Sequence, residues 1–171
     1  MSLCFRGIVP EDSDMLLRWR NDPETRHNSI HTAEVFPEEH ARWFHRMMTV
    51  DPSRIAVAEL DGLPVGVIRL DWNDERDSSE VSFTVAPEHR RKGLGFRIVQ
   101  LKTEGLSNVR VLARVKVTNL GSRRIFDRLG FRVVDRIGDL LLYARDPGDA
   151  VLGEVSSAFQ VVEPGARRVS L

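Results

Sequence analysis

Basic residues and glycines stand together in one short segment, Arg90-Arg91-Lys92-Gly93-Leu94-Gly95. An alternating apolar pattern at 81–85 precedes the segment, and apolar residues at helical spacing follow it. Glycines at a strand-to-helix turn let successive amide hydrogens point at one spot, where the helix dipole adds positive potential. The segment is neither a Walker loop nor a dinucleotide fingerprint, because Gly-Lys-Ser/Thr and Gly-x-Gly-x-x-Gly are absent. It predicts an anion-binding turn, although an exposed basic loop would share the pattern.

The strand before this turn carries reactive groups on one of its faces. Glu80, Ser82 and Thr84 alternate with apolar residues until Pro87 ends the pattern, so an acid and two hydroxyls share a face. The carboxylate of Glu80 is a group that can take part in proton transfer. The other interpretation is a sheet-surface acid that pairs with a neighbouring arginine.

Alternating and helical apolar patterns divide the chain into strands and helices in series. Asp61-Gly62 predicts a tight hairpin turn between two of the strands. Residues 24–36 show no clear period, which favours a mobile substrate loop. The order of elements predicts an α+β domain with a mixed, twisted central sheet of about seven strands and helices on both faces. The predicted strands are 3–9, 55–60, 65–70, 81–85, 109–117, 131–134 and 140–143, and the predicted helices begin near Ser13, Pro37, Leu94 and Asn119.

The chain is the size of one domain and carries no net charge. Its 171 residues can bury a core without disulfides, and its 25 basic and 25 acidic side chains cancel. No global field draws it to nucleic acid or to an anionic membrane, so an anionic ligand must be met locally. The single cysteine, Cys4, the lack of zinc-ligand spacing and the short apolar runs predict a cytoplasmic protein without a metal, a signal peptide or a membrane span.

The anion-binding turn and a second motif together resemble the GNAT (GCN5-related N-acetyltransferase) superfamily over residues 3–145. Val85-Ala86-Pro87 leading into residues 90–95 is similar to the family's strand, proline and Arg/Gln-x-x-Gly-x-Gly/Ala pyrophosphate loop. Asn119-Leu120-Gly121-Ser122, followed by Leu129-Gly130-Phe131, is similar to its Asn-x-x-Ser and terminal Leu-Gly-Phe. The resemblance implies a three-layer α/β/α N-acyltransferase domain at residues 1–145 that uses acetyl-CoA and no metal.

The resemblance also implies roles for individual residues. A backbone amide near Thr84 or Val85 would donate to the carbonyl oxygen that gains charge. Glu80 matches the base, acting directly or through water, and His31 and His40 are the candidates that could tune or replace it. Many members place a tyrosine acid on the last helix, where this chain has Phe126, so Ser122 is the candidate proton donor unless it only serves the helix amino end. The residues implied to contact acetyl-CoA are Thr84, Val85, Arg90, Arg91, Lys92, Gly93, Leu94, Gly95, Phe96, Asn119, Ser122 and Phe126.

A narrower likeness lies in the first helices. The stretches 17–24 and 38–44 look like the branch of ribosomal-protein alanine acetyltransferases and pseudaminic-acid nucleotide-sugar N-acetyltransferases. Core packing of aromatic residues and a packed or solvated role for the polar ones remain alternatives. The candidate acceptor-binding residues are Trp19, Arg20, Asn21, His31 and His40.

These patterns leave several functions and partners open. The leading function is acetylation of a nucleotide-linked amino sugar, a small-molecule amine acceptor. A protein N-terminal acetyltransferase is the alternative, and a non-catalytic acyl-CoA-binding module is a third hypothesis. Nucleic acid and membrane are not expected as partners, and a homodimer is left open. Residues 146–171 are expected to be a tail that is either disordered or adds an edge strand to a neighbouring subunit through 158–162.

Overall fold

The computed structural model describes residues 2–50 and 52–149, which form one mixed sheet covered by helices. Within these residues the strand order is β1-β2-β3-β4-β5-β7-β6, and only the β4–β5 pair is parallel. The predicted α+β class with a mixed sheet is therefore confirmed. The strands are β1 Leu3–Gly7, β2 Ile55–Leu60, β3 Leu63–Trp72, β4 Ser78–Val85, β5 Arg110–Lys116, β6 Arg132–Ile137 and β7 Leu140–Arg145. The helices are α1 Ser13–Asn21, α2 Pro23–Asn28, α3 Pro37–Thr49, α4 Leu94–Thr103 and α5 Leu120–Arg128.

The sheet buries a separate apolar cluster on each face, which gives three layers. Side chains of α4 and α5 pack on the larger cluster, and side chains of α1 and α3 pack on the smaller one. Each fully buried aliphatic or aromatic side chain contributes about 1.5–3 kcal/mol relative to an exposed one. The larger cluster includes Ile68, Leu70, Val81, Ile98, Val99, Val111, Phe126, Leu129 and Tyr143, and the smaller one includes Ile8, Leu16, Trp19, Phe44, Ile55, Val57 and Ala86.

Turn and cap residues begin and end these elements where the sequence predicts. Asp61 and Gly62 both adopt positive φ angles, 50° and 83°, as a two-residue hairpin turn requires. Helix α5 is capped by Asn119, whose side-chain oxygen accepts from the Ser122 amide at 3.1 Å. Just beyond its last residue, Arg128, Gly130 adopts φ 82°, and the Phe131 amide closes the cap by donating to the Phe126 carbonyl at 3.0 Å.

The segment expected to be a mobile loop, residues 24–36, begins instead with the short helix α2. The loop after α2 is hydrogen-bonded to the last residue of α1. Asn21 donates to the Val35 carbonyl at 2.8 Å and accepts from the Val35 amide at 2.9 Å, so its amide group acts like a strand partner. Helix α2 escapes a periodicity search because it has no buried residue. Its start is set by the Asp22 cap and by Pro23 in the first turn.

The last described residues are held near the beginning of β6. Arg132 donates to Asp146 at 3.2 Å and to Asp149 at 3.1 Å. The predicted tail lies outside the described residues from 150 onward, as does the edge strand expected at 158–162. In the part of the chain that the structure describes, no helix is both long enough and apolar enough to cross a bilayer.

Candidate active site

The two parallel strands at the centre of the sheet separate partway along their length. β4 and β5 pair only at Ser78–Arg110, Ser79–Val111 and Glu80–Leu112, although β4 continues to Val85 and β5 to Lys116. The gap beyond these pairs, between 81–85 and 113–116, is called the wedge below. Helices α4 and α5 follow these two strands, so their amino ends lie at the same side of the sheet as the open end of the wedge.

The backbone of β4 presents two peptide groups to the wedge. The Ala86 amide donates to the Val65 carbonyl at 2.9 Å. The N–H and C=O groups of the even-numbered residues of this strand therefore point toward β3. Peptide groups alternate along a strand, so those of Phe83 and Val85 point toward the wedge. This decides against Thr84 as the amide donor and leaves Val85. It also adds Phe83, which the sequence analysis missed because the phase of the strand is not visible before its register is known.

The predicted anion-binding turn has an open backbone shape. Arg91 and Gly93 adopt φ angles of 60° and 76°, and no side chain caps α4, in contrast to α5. The first helical amides, which include those of Leu94 and Gly95, therefore lack the partner that a cap would supply. A Cβ added to Gly93, the residue before these amides, would meet nothing within 4 Å, so the space beside Gly93 is open. Helix amino ends of this kind bind anions in other proteins, so the turn is a candidate phosphate site.

Gly95 has a packing role that differs from that of Gly93. A Cβ on Gly95 would lie 3.0 Å from Ile125 Cδ1 and 3.1 Å from Phe83 Cε2. Its absence lets α4 approach both β4 and α5 closely. Ile125, Phe83 and Val85 are half-buried and form an apolar lining beside the turn. Ile125 is a candidate site residue that the sequence analysis did not single out.

Two of the three basic residues of the turn bind protein groups. Lys92 donates to the Glu88 carbonyl at 3.1 Å, and Arg90 binds Asp22 through Nη2 at 2.6 Å. The side chain of Arg90 is thus directed to the α1–α2 junction, and its contact with acetyl-CoA stays a prediction. Arg91 is exposed.

The first turn of α5 brings one predicted polar group to the site and removes one predicted contact. Ser122 is half-buried, and its hydroxyl makes no hydrogen bond within residues 2–50 and 52–149. Because Asn119 caps the helix, Ser122 is not needed for that purpose. Phe126 is only 2% exposed, and its ring centroid lies 5.1 Å from the ring centroid of Phe131 and 5.7 Å from that of Tyr143. The expected contact of Phe126 with acetyl-CoA is therefore replaced by a core packing role.

Residues 2–132 match the family model described as the acetyltransferase (GNAT) domain. The chain belongs to the GNAT family. It is an N-acetyltransferase, and its acetyl donor is acetyl-CoA. The uncapped amino end of α4, the open space at Gly93 and the apolar wedge fit the pyrophosphate and the pantetheine arm of this donor. Within the described residues, no group of three or more His, Cys, Asp or Glu is placed to hold a metal ion.

Solved structures of GNAT acetyltransferases and related proteins share the fold at low sequence identity. An acetyltransferase from Thermus thermophilus is 24% identical, with a TM-score of 0.71 over 85% of this chain and 97% of that one. A putative acetyltransferase from Salmonella typhimurium, solved with acetyl-CoA, is 19% identical, with a TM-score of 0.68 over 91% and 99%. Spermidine N-acetyltransferase from Vibrio cholerae, solved with CoA and spermine, is 16% identical, with a TM-score of 0.72 over 84% and 93%. No curated protein sequence matches the chain at a significant level.

The candidate base of this GNAT enzyme lies on an open, charged part of the sheet. Glu80 accepts a hydrogen bond from Arg114 Nε at 2.8 Å, and the two side chains are 30% and 50% exposed. Asp71 lies opposite Glu80 in register and accepts from Arg69 at 2.8 Å. The hydrogen bond that Arg114 donates to Glu80 outweighs partial burial and raises the pKa of Arg114. Such a half-exposed pair contributes about 0–1 kcal/mol to stability, so it is weak evidence for a purely structural role.

The candidate acceptor residues of the GNAT enzyme lie mainly in scaffold positions. Trp19 is 5% exposed and packs in the smaller core cluster. Arg20 donates to the His31 carbonyl at 2.7 Å, and burial, with some help from Arg26, lowers the pKa of Arg20. Together with the Asn21 contacts to Val35, these bonds shape the loop after α2. Trp19 and Asn21 line one cavity at the α1–α2 junction, whereas Arg20, His31 and His40 do not line it.

His40 is a core residue, and this makes the stability of the enzyme depend on pH. It is 5% exposed, stacks on Phe44 at 5.8 Å, and its Nε2 donates to the Ser13 carbonyl at 2.9 Å. Burial lowers the pKa of His40, outweighing the Ser13 carbonyl and Asp14, which raise it.

We expect stability to fall as the pH drops below the ordinary histidine pKa of about 6.5, because the unfolded chain then binds a proton that the folded chain resists. His40→Gln keeps the donor to Ser13 and does not titrate. Thermal unfolding at pH 7.5 and pH 5.5 should show a larger loss in the wild type than in His40→Gln. Equal losses in both proteins would contradict the assignment.

Proposed function

We propose that this chain transfers the acetyl group of acetyl-CoA to the primary amine of a small molecule, with a nucleotide-linked amino sugar as the leading acceptor. The observation that carries the proposal is the position of α2. Arg90, which follows β4, binds the amino end of α2 at Asp22, and Lys116, the last residue of β5, donates to the His27 carbonyl at its other end at 2.9 Å. Helix α2 therefore lies across the mouth of the wedge. A peptide acceptor would need an open groove there.

A cavity beside α2 has a size that suits a small acceptor. It measures about 430 Å³ and lies between the α1–α2 junction and the turn after β4. Small-molecule sites usually fall in the range of about 300–1,000 Å³. The exposed carboxylate of Glu88 at its edge would attract an ammonium group, and Arg18 could pair with a phosphate of the acceptor. The related Vibrio cholerae enzyme, named for spermidine, supports a small amine as the class of acceptor.

The residues around the wedge have complementary chemical roles in this proposal. Acetyl-CoA supplies an acetyl group activated as a thioester. The amides of the turn hold the pyrophosphate, and the wedge-facing amides of Phe83 and Val85 are the candidate donors to the thioester oxygen. Glu80 lies three residues before Phe83, about 10 Å along the strand, so it takes the proton of the amine through water. Ser122 donates a hydrogen bond or a proton to the departing sulfur.

A panel of amines tests this proposal directly. Purified protein should release CoA from acetyl-CoA when a nucleotide-linked amino sugar is present, and should do so faster than with a polyamine or with peptides that carry free amino termini. Faster turnover of the peptides would favour the protein N-terminal acetyltransferase instead. If CoA binds but no amine gives turnover, the chain is an acyl-CoA-binding module. Loss of turnover with retained binding in Ser122→Ala would exclude that module.

A further inference from the structure

Arg90 belongs to the turn by sequence but to α2 by its contacts. Its Nη2 atom donates to Asp22 Oδ2 at 2.6 Å and to Thr25 Oγ1 at 2.7 Å, and its Nη1 donates to Glu24 at 3.2 Å. The Arg90 and Asp22 side chains are 18% and 19% exposed. Charge-assisted hydrogen bonds of this length, mostly shielded from water, are the stronger kind in proteins. They hold the first residue of the turn to a helix more than sixty residues away in sequence.

Asp22 is shared between the helix it caps and the turn it binds. The same Oδ2 atom accepts from the Thr25 amide at 2.9 Å, which is an N-cap of α2. Burial by itself would raise the pKa of Asp22, but the Thr25 amide and the Arg90 guanidinium outweigh it and lower the pKa. The Asp22 carboxylate therefore accepts hydrogen bonds from the first turn of α2 and from Arg90 at the same time. A movement of α2 would shift Arg90, and a movement of Arg90 would shift α2.

The backbone of the turn makes it sensitive to this attachment. Arg91, the next residue, adopts a φ of 60°, which costs a residue with a side chain about 1–2 kcal/mol. Gly93 supplies the second positive φ angle, and the amides that face the phosphate site follow from these two angles. A strained backbone conformation persists only where neighbouring contacts hold it in place. For Arg91, the adjacent contact is the ion pair between Arg90 and Asp22.

We propose that Asp22 is a positioning residue for acetyl-CoA: by binding Arg90 it holds residues 90–95 in the phosphate-binding shape and couples α2 to the affinity for the pyrophosphate. The inference rests on the proposed function, since it requires that the turn bind CoA. By linkage, any acceptor that orders α2 strengthens acetyl-CoA binding, and acetyl-CoA strengthens acceptor binding by the same factor.

The opposite assignment, in which Arg90 is itself a phosphate ligand, predicts a change of opposite sign. In that case Asp22 competes with the phosphate for the guanidinium, and removal of its charge would strengthen CoA binding. In the arrangement proposed here, removal of the charge releases the turn and weakens CoA binding. The direction in which CoA affinity changes when the charge of Asp22 is removed therefore distinguishes a phosphate-binding Arg90 from an Arg90 that positions the turn.

The test is calorimetric titration of Asp22→Asn and Thr25→Val with CoA and, by competition, with pantetheine, which lacks the pyrophosphate. Asn caps a helix as well as Asp does, so α2 is preserved. Thr25→Val removes the hydroxyl that accepts from Arg90 and donates to Asp22 at 3.2 Å but keeps the Asp22–Arg90 ion pair, and it carries the test if Asp22→Asn does not fold. We expect the dissociation constant for CoA to rise roughly tenfold in Asp22→Asn, within the usual range of coupling between sites, and less in Thr25→Val, with pantetheine unchanged in both.

A matched control and the wild type separate the outcomes. Asp146 also accepts from two arginines, Arg110 at 3.0 Å and Arg132 at 3.2 Å, at the far end of the sheet, and Asp146→Asn should leave both affinities unchanged. Unchanged or tighter CoA binding in Asp22→Asn overturns the inference, as does an equal loss for CoA and pantetheine. Wild-type protein that does not bind CoA would refute the proposed function itself.

Discussion

Gly93→Glu should reduce the affinity for CoA by roughly a hundredfold or more and leave the chain folded, because two like charges about 4 Å apart repel by about 4 kcal/mol near a protein surface. A Cβ on Gly93 would meet no protein atom within 4 Å, so a side chain there would enter open space next to the first, uncapped amides of α4. The backbone cost of a positive φ in a residue with a Cβ is smaller, about 1–2 kcal/mol. Binding should therefore be lost well before folding. Titration calorimetry with CoA measures the first quantity, and thermal unfolding measures the second.

The hairpin glycine provides a matched control for this substitution. Gly62 adopts φ 83° against 76° in Gly93, and a Cβ on it also meets nothing within 4 Å. Gly62→Glu therefore carries the same charge and a similar backbone strain at a site between β2 and β3. It should lower the melting temperature about as much and leave CoA affinity intact. Equal CoA affinities in Gly93→Glu and Gly62→Glu would show that the turn does not bind the pyrophosphate.

The two glycines of the motif illustrate what the sequence can and cannot predict. As letters they are equivalent, and a carboxylate at either would be expected to repel a phosphate. In the structure, Gly95 is buried against Ile125 and Phe83, so a larger side chain there would disturb packing between α4, β4 and α5 before it reached a ligand. The function of each glycine depends on contacts between elements distant in sequence, and no local pattern contains them.

Elements with a strong apolar period were predictable, whereas short polar ones were not. The β2–β3 hairpin and α5 combine periodicity with turn and cap residues that have one conformational preference, so local and tertiary signals agree. Helix α2 is six residues long and buries none of them. It is held by its cap and by Arg90 and Lys116, which come from other parts of the chain. Tertiary contacts of this kind override weak local propensity.

The candidate site divides in the same way. The glycine turn before α4 and the start of α5 at Asn119 follow from residue types at strand-to-helix junctions, and both lie where the sequence predicts. The contact of Asn119 with acetyl-CoA stays a prediction, and in the structure its side-chain oxygen caps α5. The roles of Phe83 and Thr84 required the register of β4 with β3, because a strand's two edges look identical in sequence. The contact that Arg90 makes could not be predicted before the location of Asp22 was known. Aromatic residues such as Phe126 were ambiguous, since the same residue lines a core or a pocket depending on what packs beside it.

Glu80→Gln should lower kcat about a hundredfold with the acceptor that the amine panel identifies, which is the usual contribution of one positioned general base. The dissociation constant for CoA should not change, because Glu80 is paired with β5 before the wedge opens and lies away from the turn. Glutamine keeps the shape and accepts from Arg114 but takes no proton from water. The amine acceptor would then react only as the small neutral fraction present in solution, so the residual rate should increase with pH.

The partner of Glu80 separates catalysis from structure. If Glu80 mattered only through its 2.8 Å bond to Arg114, then Arg114→Gln, which breaks the same pair from the other side, would reduce kcat as much as Glu80→Gln does. If Glu80 is the base, Arg114→Gln leaves the carboxylate in place and costs no more than a half-exposed ion pair, about 0–1 kcal/mol, or up to about fivefold in rate. A hundredfold loss in Glu80→Gln beside a small loss in Arg114→Gln assigns the proton transfer to Glu80. Equal losses assign Glu80 to the sheet surface and direct the search for the base to Asp71, which lies opposite it.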